Sequence, residues 1–220
     1  MPLVLLLSKR HVRLSLGVGL GLILAVSLLW QQRADAATLA FSDGFEDGNA
    51  NGWTSPRGQW QVCQQPGRSL AFCVTPTDGT YPVSFTGSFA WTNYSVEAAV
   101  TVTGIDGGVA IIGRASDRNH FYMLQLKQYR RTHGWFIHRR DGTRWVDIAL
   151  GSYPWVANRQ YHLKLDMQGS QLTALISTDG GTSWTTLGSV NDATYASGRI
   201  GVRAWDTTAY VDNVRVHTTP

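Results

Sequence analysis

Glutamate is almost absent from this chain of 220 residues, and its scarcity argues against one large class of enzymes. Glu46 falls in a predicted loop, Glu97 is isolated on a predicted strand, and the chain has no other glutamate. A glycoside hydrolase needs two carboxyl groups that face each other across the scissile bond. The remaining carboxylate candidates lie in or near predicted turns: Asp106, Asp117, Asp141, Asp147 and Asp179. The sequence therefore favours a protein that is not a hydrolase with paired glutamates.

Cysteine is equally scarce, because only Cys63 and Cys73 are present. A structural zinc site usually has four ligands, and the chain contains no C-x-x-C or H-x-x-x-H pattern. Two cysteines close together in an exported chain predict a disulfide. Closing so short a loop would contribute about 2–3 kcal/mol to stability.

Long apolar runs are missing after residue 37, but one is present before it. Three basic residues precede an uncharged apolar run at 14–30, and an A-x-A site follows at 34–36. We therefore predict a signal peptide over residues 1–36 and a secreted, extracellular protein with no membrane contact after cleavage. The alternative is an uncleaved anchor, because this run approaches the roughly 20 residues that span a bilayer.

An excess of positive charge is also missing once the predicted leader is set aside. The whole chain has 19 basic and 15 acidic residues, whereas residues 37–220 have 15 basic and 14 acidic residues. Domains that bind nucleic acid usually carry a strong basic excess. We therefore expect no nucleic-acid partner.

Helical periodicity is absent after residue 37, and alternation with a period of two takes its place. Stretches such as DGNANG, TGIDGG, RDGT and STDGG separate the alternating runs. This combination predicts an all-β fold, a two-sheet antiparallel β-sandwich or jelly roll, as a single domain over residues 37–220. The predicted strands include three within Ala110–Arg140, a hairpin at Trp60–Cys73, and strands at Tyr94–Thr103, Tyr161–Met167, Leu172–Ser177, Arg199–Trp205 and Tyr210–Val216.

The stretch Ala110–Arg140 supplies the main candidate for a ligand-binding surface. Strand alternation assigns one face of it to the core: Tyr122, Leu124, Leu126, Trp135 and Ile137. The opposite face, extended by a later strand, presents the candidate ligand residues: Arg114, Gln125, Lys127, Phe136, His138, Arg140, Arg203 and Trp205. Sugar sites combine aromatic rings with planar polar groups, so this set predicts binding of a polysaccharide or glycan. Anionic groups would suit it, because arginine pairs bidentately with carboxylate or sulfate.

A structural interpretation of the same residues stays open. Every sandwich has a polar outer face, and Glu97 would pair with Arg114 across neighbouring strands. The segment Thr143–Trp155 would then be a loop that covers the outward aromatic rings.

Four segments, in their order along the chain, carry a wider resemblance. They are FSDGFEDGNANGW (41–53), VAIIGRASDRNHFYMLQL (109–126), RQYHLKLDMQGSQLTALI (159–176) and GRIGVRAWDTTAYVDNVRV (198–216). Together they resemble the concanavalin A-like lectin/glucanase superfamily in its laminin-G-like form. The resemblance implies two curved antiparallel sheets with a concave ligand-facing surface. The superfamily contains lectins, carbohydrate-binding modules, glycosidases and polysaccharide lyases, so it does not choose an activity.

Calcium is often bound in this superfamily, and the resemblance implies a place for it. The first and last strands of such sandwiches lie close together, and Asp43, Glu46 and Asp212 fall in those parts of the chain. Carboxylate and carbonyl oxygens are the ligands that Ca²⁺ prefers. We therefore predict a structural Ca²⁺ at Asp43, Glu46 and Asp212, with a polar turn cluster as the alternative.

Two shorter motifs bear on the activity. Phe136-Ile137-His138 falls where one alginate-lyase family of the superfamily has Gln-Ile-His, so only His138 matches its polar positions. The segment 177–184 resembles the Asp-box hairpin of sialidases, and we expect Asp179 to accept backbone hydrogen bonds across this turn. The sequence thus favours a monomeric, non-catalytic carbohydrate-binding protein. A polysaccharide lyase that acts on a uronate-containing glycan is one alternative, and a cell-envelope adhesion domain is another.

Overall fold

Every regular element in the part of the chain that the structure describes is a β-strand. The computed structural model describes residues 37–76, 81–129 and 132–219. The strands are β1 (Thr38–Asp43), β2 (Thr54–Arg57), β3 (Gln61–Gln64), β4 (Leu70–Val74), β5 (Val83–Thr86), β6 (Tyr94–Val102), β7 (Gly108–Asp117), β8 (His120–Tyr129), β9 (Thr132–Asp141), β10 (Arg144–Ser152), β11 (Gln160–Gln168), β12 (Gln171–Ser177), β13 (Thr185–Asn191), β14 (Arg199–Trp205) and β15 (Ala209–Thr218).

The strands form two antiparallel sheets that pack as a sandwich. The eight-stranded sheet has the order β13-β12-β11-β6-β15-β4-β3, and β1 also pairs with β15. The seven-stranded sheet has the order β10-β9-β8-β7-β14-β5-β2. The predicted all-β sandwich is confirmed.

The core lies between the two sheets because alternate residues of each strand point inward. In β11 the residues Tyr161, Leu163, Leu165 and Met167 are buried, and the residues between them are half-buried. The residues of β8 and β9 that were predicted to be in the core are all buried there: Tyr122, Leu124, Leu126, Trp135 and Ile137. Burial of one large apolar side chain contributes roughly 1.5–3 kcal/mol, so these side chains determine which face of each strand is turned outward.

The predicted disulfide joins β3 to β4. Cys63 lies opposite Ala71 and Cys73 opposite Gln61, so the bond runs diagonally between the two strands. The two Cα atoms are 6.1 Å apart, which is within the usual range for a disulfide. A disulfide of this kind indicates an oxidising compartment.

The segment Thr143–Trp155 is not the covering loop that the sequence suggested, because it contains β10. This strand pairs with β9 at the edge of the seven-stranded sheet, and Asp147 lies directly opposite His138. The register shifts between Asp147 and Ala149. Such a bulge interrupts the alternation by which a strand is recognised in a sequence. The placement of Asp147 in or near a turn is therefore wrong.

The Asp-box hairpin is held together by its own side chains. The Asp179 carboxylate accepts hydrogen bonds from the Ser177 hydroxyl (2.6 Å) and from the Ser183 backbone N–H (3.0 Å). These bonds hold the pKa of Asp179 well below its usual range. The Trp184 ring packs against Lys164, whose ammonium nitrogen lies 4.1 Å from the ring centroid. These contacts give the hairpin a structural role.

The predicted leader lies outside the described residues. The signal peptide, its cleavage after residue 36 and the domain boundary at residue 37 therefore stay predictions. Within the described ranges, no helix is long and apolar enough to cross a membrane.

Candidate functional site

The outer surface of the seven-stranded sheet, called the site face below, collects most of the predicted ligand residues. It is formed by β10, β9, β8, β7 and β14, whose outward residues lie opposite one another across the strands. The structure places all but one of the predicted ligand residues on it: Gln125, Lys127, Phe136, His138, Arg140, Arg203 and Trp205. The exception is Arg114.

Two adjoining cavities lie on the site face. The arginine cavity has a volume of about 440 Å³, and the residues that characterise it are Arg57, Arg118, Arg140, Arg203, Tyr81 and Trp145. The histidine cavity has a volume of about 320 Å³; Arg203, Tyr81 and Trp145 line it too, and its own residues are Gln125, Lys127, His138, Asp147 and Trp205. Both volumes are typical of sites for small ligands.

Aromatic rings stack against the guanidinium groups of the arginine cavity. The guanidinium carbons of Arg140 and Arg203 lie 4.6 and 4.8 Å from the centroid of the Trp145 ring. Tyr81 stacks in a similar way, 5.0 Å from Arg203 and 5.7 Å from Arg57. Stacking occupies the flat faces of a guanidinium and leaves its N–H edge to planar acceptors such as carboxylate or sulfate. One N–H of Arg140 already donates to the Thr143 carbonyl (2.9 Å), and its other N–H groups stay directed along that edge.

Positive charge accumulates in the arginine cavity. Burial lowers the pKa of Arg203 to about 10, and Arg140 and Arg57 act in the same direction against the opposing effects of Tyr81 and Asp206. The pKa of Arg140 is lowered by burial and by Arg57. Among the described residues, no carboxylate lies within ion-pair distance of Arg57, Arg140 or Arg203. This cavity therefore gathers like charges, which an anion would relieve.

A histidine–aspartate pair lies in the histidine cavity. The Nδ1 atom of His138 is 2.6 Å from Oδ1 of Asp147. Burial lowers the pKa of His138, although the hydrogen bond to Asp147 opposes that effect. The same hydrogen bond lowers the pKa of Asp147. We therefore assign a neutral imidazole whose Nδ1–H donates to an ionised carboxylate, which leaves Nε2 as an acceptor.

Two buried polar atoms of the histidine cavity have no hydrogen-bond partner within the described part of the chain. They are Nε2 of His138 and Nε2 of Gln125. Both residues are almost fully buried, at 2% and 1% exposure. An unsatisfied buried donor or acceptor costs about 1–3 kcal/mol, so a ligand that pairs with these atoms gains affinity.

Lys127 lines the histidine cavity and lies near two aromatic rings. Its ammonium nitrogen is 4.3 Å from the ring centroid of Phe136 and 5.9 Å from that of Trp205. Burial lowers the pKa of Lys127, with an opposing effect from Asp147. The histidine cavity thus combines two cations, Lys127 and Arg203, and one carboxylate with aromatic surface.

Arg114 is absent from the site face, so its assignment to the ligand set is wrong in position. Its side chain is almost fully buried, and its guanidinium donates to the carbonyls of Thr92 (2.8 Å), Gly169 (2.7 Å), Tyr195 (3.1 Å) and Met167 (3.3 Å). The backbone of Arg114 has a positive φ of 49°, and β7 changes register at this point. The resulting bulge turns the side chain away from the outer face.

The proposed cross-strand pair of Glu97 with Arg114 is also wrong, because the two residues belong to different sheets. Glu97 lies on the outer face of the eight-stranded sheet, where its carboxylate is 2.9 Å from the ammonium of Lys164 and 3.8 Å from the guanidinium of Arg215. It therefore takes no part in the site face.

Sequence reasoning missed several site residues because local irregularity or short strands conceal them. Trp145 and Asp147 lie on β10 just before its bulge, and their spacing of two residues was the one signal that could have revealed them. Arg57 ends the four-residue strand β2, and Tyr81 precedes the four-residue strand β5. Such short segments are too brief for a periodic pattern to emerge.

The carboxylates predicted to hold Ca²⁺ do not form a ready metal site. Among the described residues, no group of three or more His, Cys, Asp or Glu side chains could hold a metal ion. Asp43 uses its two oxygens for the N–H of Phe45 (2.9 Å) and the indole N–H of Trp53 (2.8 Å). Burial raises the pKa of Asp212, and Glu46 and Asp43 add to that rise. In the described arrangement these side chains form no metal site, and Asp43 could bind an ion only by giving up one of its two hydrogen bonds.

No protein-family model and no curated protein matches the chain, but solved structures match it. The carbohydrate binding module CBM66 from Bacillus subtilis has a TM-score of 0.61 at 19% identity, and the match covers 76% of this chain and 96% of that one. The Ca²⁺-bound exoplasmic/lumenal domain of VIP36 has a TM-score of 0.62 at 11% identity, with 81% and 90% covered. The GH43 protein BlXynB from Bacillus licheniformis gives 0.62 at 13% identity, with 80% of this chain but 39% of that one covered.

At these identities the matches establish the fold. The chain has the concanavalin A-like jelly-roll fold that the resemblance implied. Its structural neighbours include a carbohydrate-binding module and a domain solved with Ca²⁺.

Proposed function

We propose that the site face binds a polysaccharide or glycan without cleaving it. The observation that carries the proposal is the pair of adjoining cavities lined by aromatic rings, guanidinium groups and two unpartnered buried polar atoms. Sugars need this combination, because their rings have apolar faces and their hydroxyl groups need hydrogen-bond partners. The fold shared with a carbohydrate-binding module supports the same conclusion.

The charge of the arginine cavity supports an anionic glycan. Burial there strengthens the attraction between a guanidinium and a carboxylate or sulfate relative to the same pair in water. A glycan array of neutral, uronate and sulfated polysaccharides is the direct test. We expect binding to be concentrated among acidic members, whereas no binding to any glycan would favour the adhesion alternative.

Replacement of Trp145 should weaken glycan binding because this ring lines both cavities. We expect Trp145→Ala to lower the affinity about tenfold, or about 1.4 kcal/mol. Isothermal titration with the best array ligand measures the change. Trp184→Ala, which removes an aromatic ring from the Asp-box hairpin, is the matched control and should bind like the wild type. Equal affinities for all three proteins would place the ligand elsewhere.

Secretion and a monomeric state belong to the same proposal. The disulfide supports an extracellular location, because such bonds persist in oxidising compartments. We expect purified protein to elute as a monomer in size-exclusion chromatography, with the site face turned to solvent.

A second candidate function is a polysaccharide lyase, which the pairing of His138 with Asp147 favours. A neutral Nε2 atom of His138 would take the proton from the carbon next to a uronate carboxylate. The bond from the neighbouring carbon to the glycosidic oxygen would break, a carbon–carbon double bond would form, and the imidazolium formed on His138 would return its proton to the leaving oxygen. Arg203 would neutralise the carboxylate during proton removal.

Absorbance at 235 nm, where the unsaturated product absorbs, distinguishes a lyase from a protein that only binds the glycan. The rate of a lyase would be full near pH 7 and fall as the pH drops through the pKa of His138, which burial lowers from its usual value. Sustained binding with no new absorbance from any uronate polymer contradicts the lyase and leaves the binding function intact.

Calcium is kept as a prediction about stability. A cation beside Asp212 would offset the repulsion from Glu46 and Asp43, provided that Asp43 exchanges one of its present hydrogen bonds for the metal. At 100 times its Kd, a bound ion stabilises a fold by about 2.7 kcal/mol. We therefore expect Ca²⁺ to raise the melting temperature by about 5–10 °C and EDTA to reverse this. A melting temperature that responds to neither addition contradicts the prediction.

A further inference from the structure

We propose that the site face binds two neighbouring units of an acidic glycan in a fixed order. The acidic group of one unit lies in the arginine cavity, and the hydroxyl groups of the next unit pair with His138 and Gln125 in the histidine cavity. This inference rests on the proposed glycan-binding function and assigns a ligand chemistry to each half of the site.

The two cavities differ in charge, which determines where an acidic group binds. The arginine cavity has the guanidinium groups of Arg57, Arg118, Arg140 and Arg203, and no carboxylate among its described lining residues. In the histidine cavity, the ionised carboxylate of Asp147 offsets one of the two cations, Lys127 and Arg203, and repels an anion. An acidic group is therefore more favoured in the first cavity, which has four guanidinium groups, than in the second.

The histidine cavity has the chemistry of a hydroxyl site. Nε2 of His138 is an acceptor, because Nδ1–H is committed to Asp147. Nε2 of Gln125 is an amide donor. Both atoms are buried without a partner in the described part of the protein, so they point to a ligand that donates one hydrogen bond and accepts another. A sugar hydroxyl does both, whereas a carboxylate only accepts.

The two cavities share three lining residues, so one ligand can occupy both. Tyr81, Trp145 and Arg203 line each cavity, and neighbouring units of one glycan chain can therefore contact both cavities at once. Trp145 is 42% exposed beside the guanidinium groups of Arg140 and Arg203, so part of its ring surface is open to contact with a pyranose. With volumes of about 440 and 320 Å³, each cavity is large enough to accept a sugar unit.

The test uses matched ligands and one variant per cavity. Disaccharides that carry a single carboxylate, prepared from hyaluronan and unsulfated chondroitin, are compared with their carboxyl-reduced forms, and a keratan sulfate disaccharide, whose only acidic group is sulfate, is compared with its desulfated form. Arg140→Gln removes one charge from the arginine cavity. His138→Phe removes the acceptor from the histidine cavity, and His138→Gln keeps a polar side chain there in case the first variant does not fold. Arg215→Gln, on the opposite sheet, is the charge-matched control.

Arg140→Gln should lower the affinity for the acidic disaccharide about tenfold and change the affinity for the neutral form less than twofold. His138→Phe should lower the affinity for both forms by the same factor of about ten, since both have hydroxyl groups. His138→Gln should lose less than His138→Phe, and Arg215→Gln should bind like the wild type. The carboxylate and sulfate arms show which acidic group the cavity accepts.

The possible outcomes distinguish a failure of the two-unit arrangement from a failure of the proposed glycan-binding function. If no oligosaccharide binds, the glycan-binding proposal itself fails. If acidic and neutral forms bind equally and Arg140→Gln affects them equally, glycan binding stands and the assignment of the arginine cavity is overturned. If a single acidic monosaccharide binds as tightly as the disaccharide, the second unit is not recognised and the two-unit arrangement is overturned.

Discussion

Arg114→Ala should destabilise the protein by about 3–5 kcal/mol while the folded protein keeps its affinity for glycan. The substitution removes a buried guanidinium that donates to the four carbonyls of Thr92, Gly169, Tyr195 and Met167. A buried carbonyl left without a donor, such as that of Met167, costs about 1–3 kcal/mol, and water that reaches the three part-buried carbonyls recovers part of the loss there. Urea unfolding followed by tryptophan fluorescence measures the free energy of unfolding.

The controls for Arg114 distinguish a structural role from a ligand role. Arg215→Ala removes an arginine that is half exposed, and it should change the free energy of unfolding by less than about 0.5 kcal/mol. Arg114→Lys should fall between the wild type and Arg114→Ala, because an ammonium has fewer donors than a guanidinium. Normal stability combined with lost glycan binding in Arg114→Ala would return this residue to the ligand set.

Arg203→Met should reduce the affinity for acidic glycans about 100-fold and leave the fold at least as stable as before. Arg203 is 6% exposed, and Arg140 and Arg57 add like charge near it. Removing one charge of a buried, complementary pair typically costs about 2–5 kcal/mol of binding. In the free protein the same charge is buried without a described counter-ion, so an apolar side chain of similar length is expected to stabilise by about 1 kcal/mol.

Two measurements on each Arg203 variant test whether affinity falls while stability is kept. Titration with an acidic oligosaccharide gives the affinity, and thermal unfolding without ligand gives the stability. Arg203→Lys keeps the charge but loses the planar stacking on Trp145 and Tyr81, and it should recover only part of the affinity. Unchanged affinity in Arg203→Met, or a marked loss of stability in both variants, would contradict the prediction.

Alternation in the long strands was enough to predict the fold and the outward residues of the candidate site on β8, β9 and β14. In β8 and β9 each strand buries one face in the core, so the outward positions of Gln125, Lys127, Phe136 and His138 follow from the core assignment. The same reasoning placed Arg203 on β14. These predictions succeeded because the period of two is unbroken over the residues concerned.

The remaining part of the site was hidden by departures from that period. The bulge in β10 concealed Trp145 and Asp147, and the bulge in β7 reversed the direction of Arg114. A bulge adds one residue to one strand of a pair, so it depends on the partner strand and cannot be recognised from one segment alone. The pairing of His138 with Asp147 was hidden for the same reason, since it requires the register of β10 on β9.

Because β1 pairs with β15, both ends of the described chain lie in the same sheet. Thr38 lies opposite Thr218 in the eight-stranded sheet, whereas the cavities open on the outer surface of the other sheet. A tether at either end of the described chain therefore leaves from the sheet opposite the cavities. Immobilised on a sensor surface or fused to a second protein through either end, the sandwich would present its cavities away from the support, with the ligand free to approach from solution.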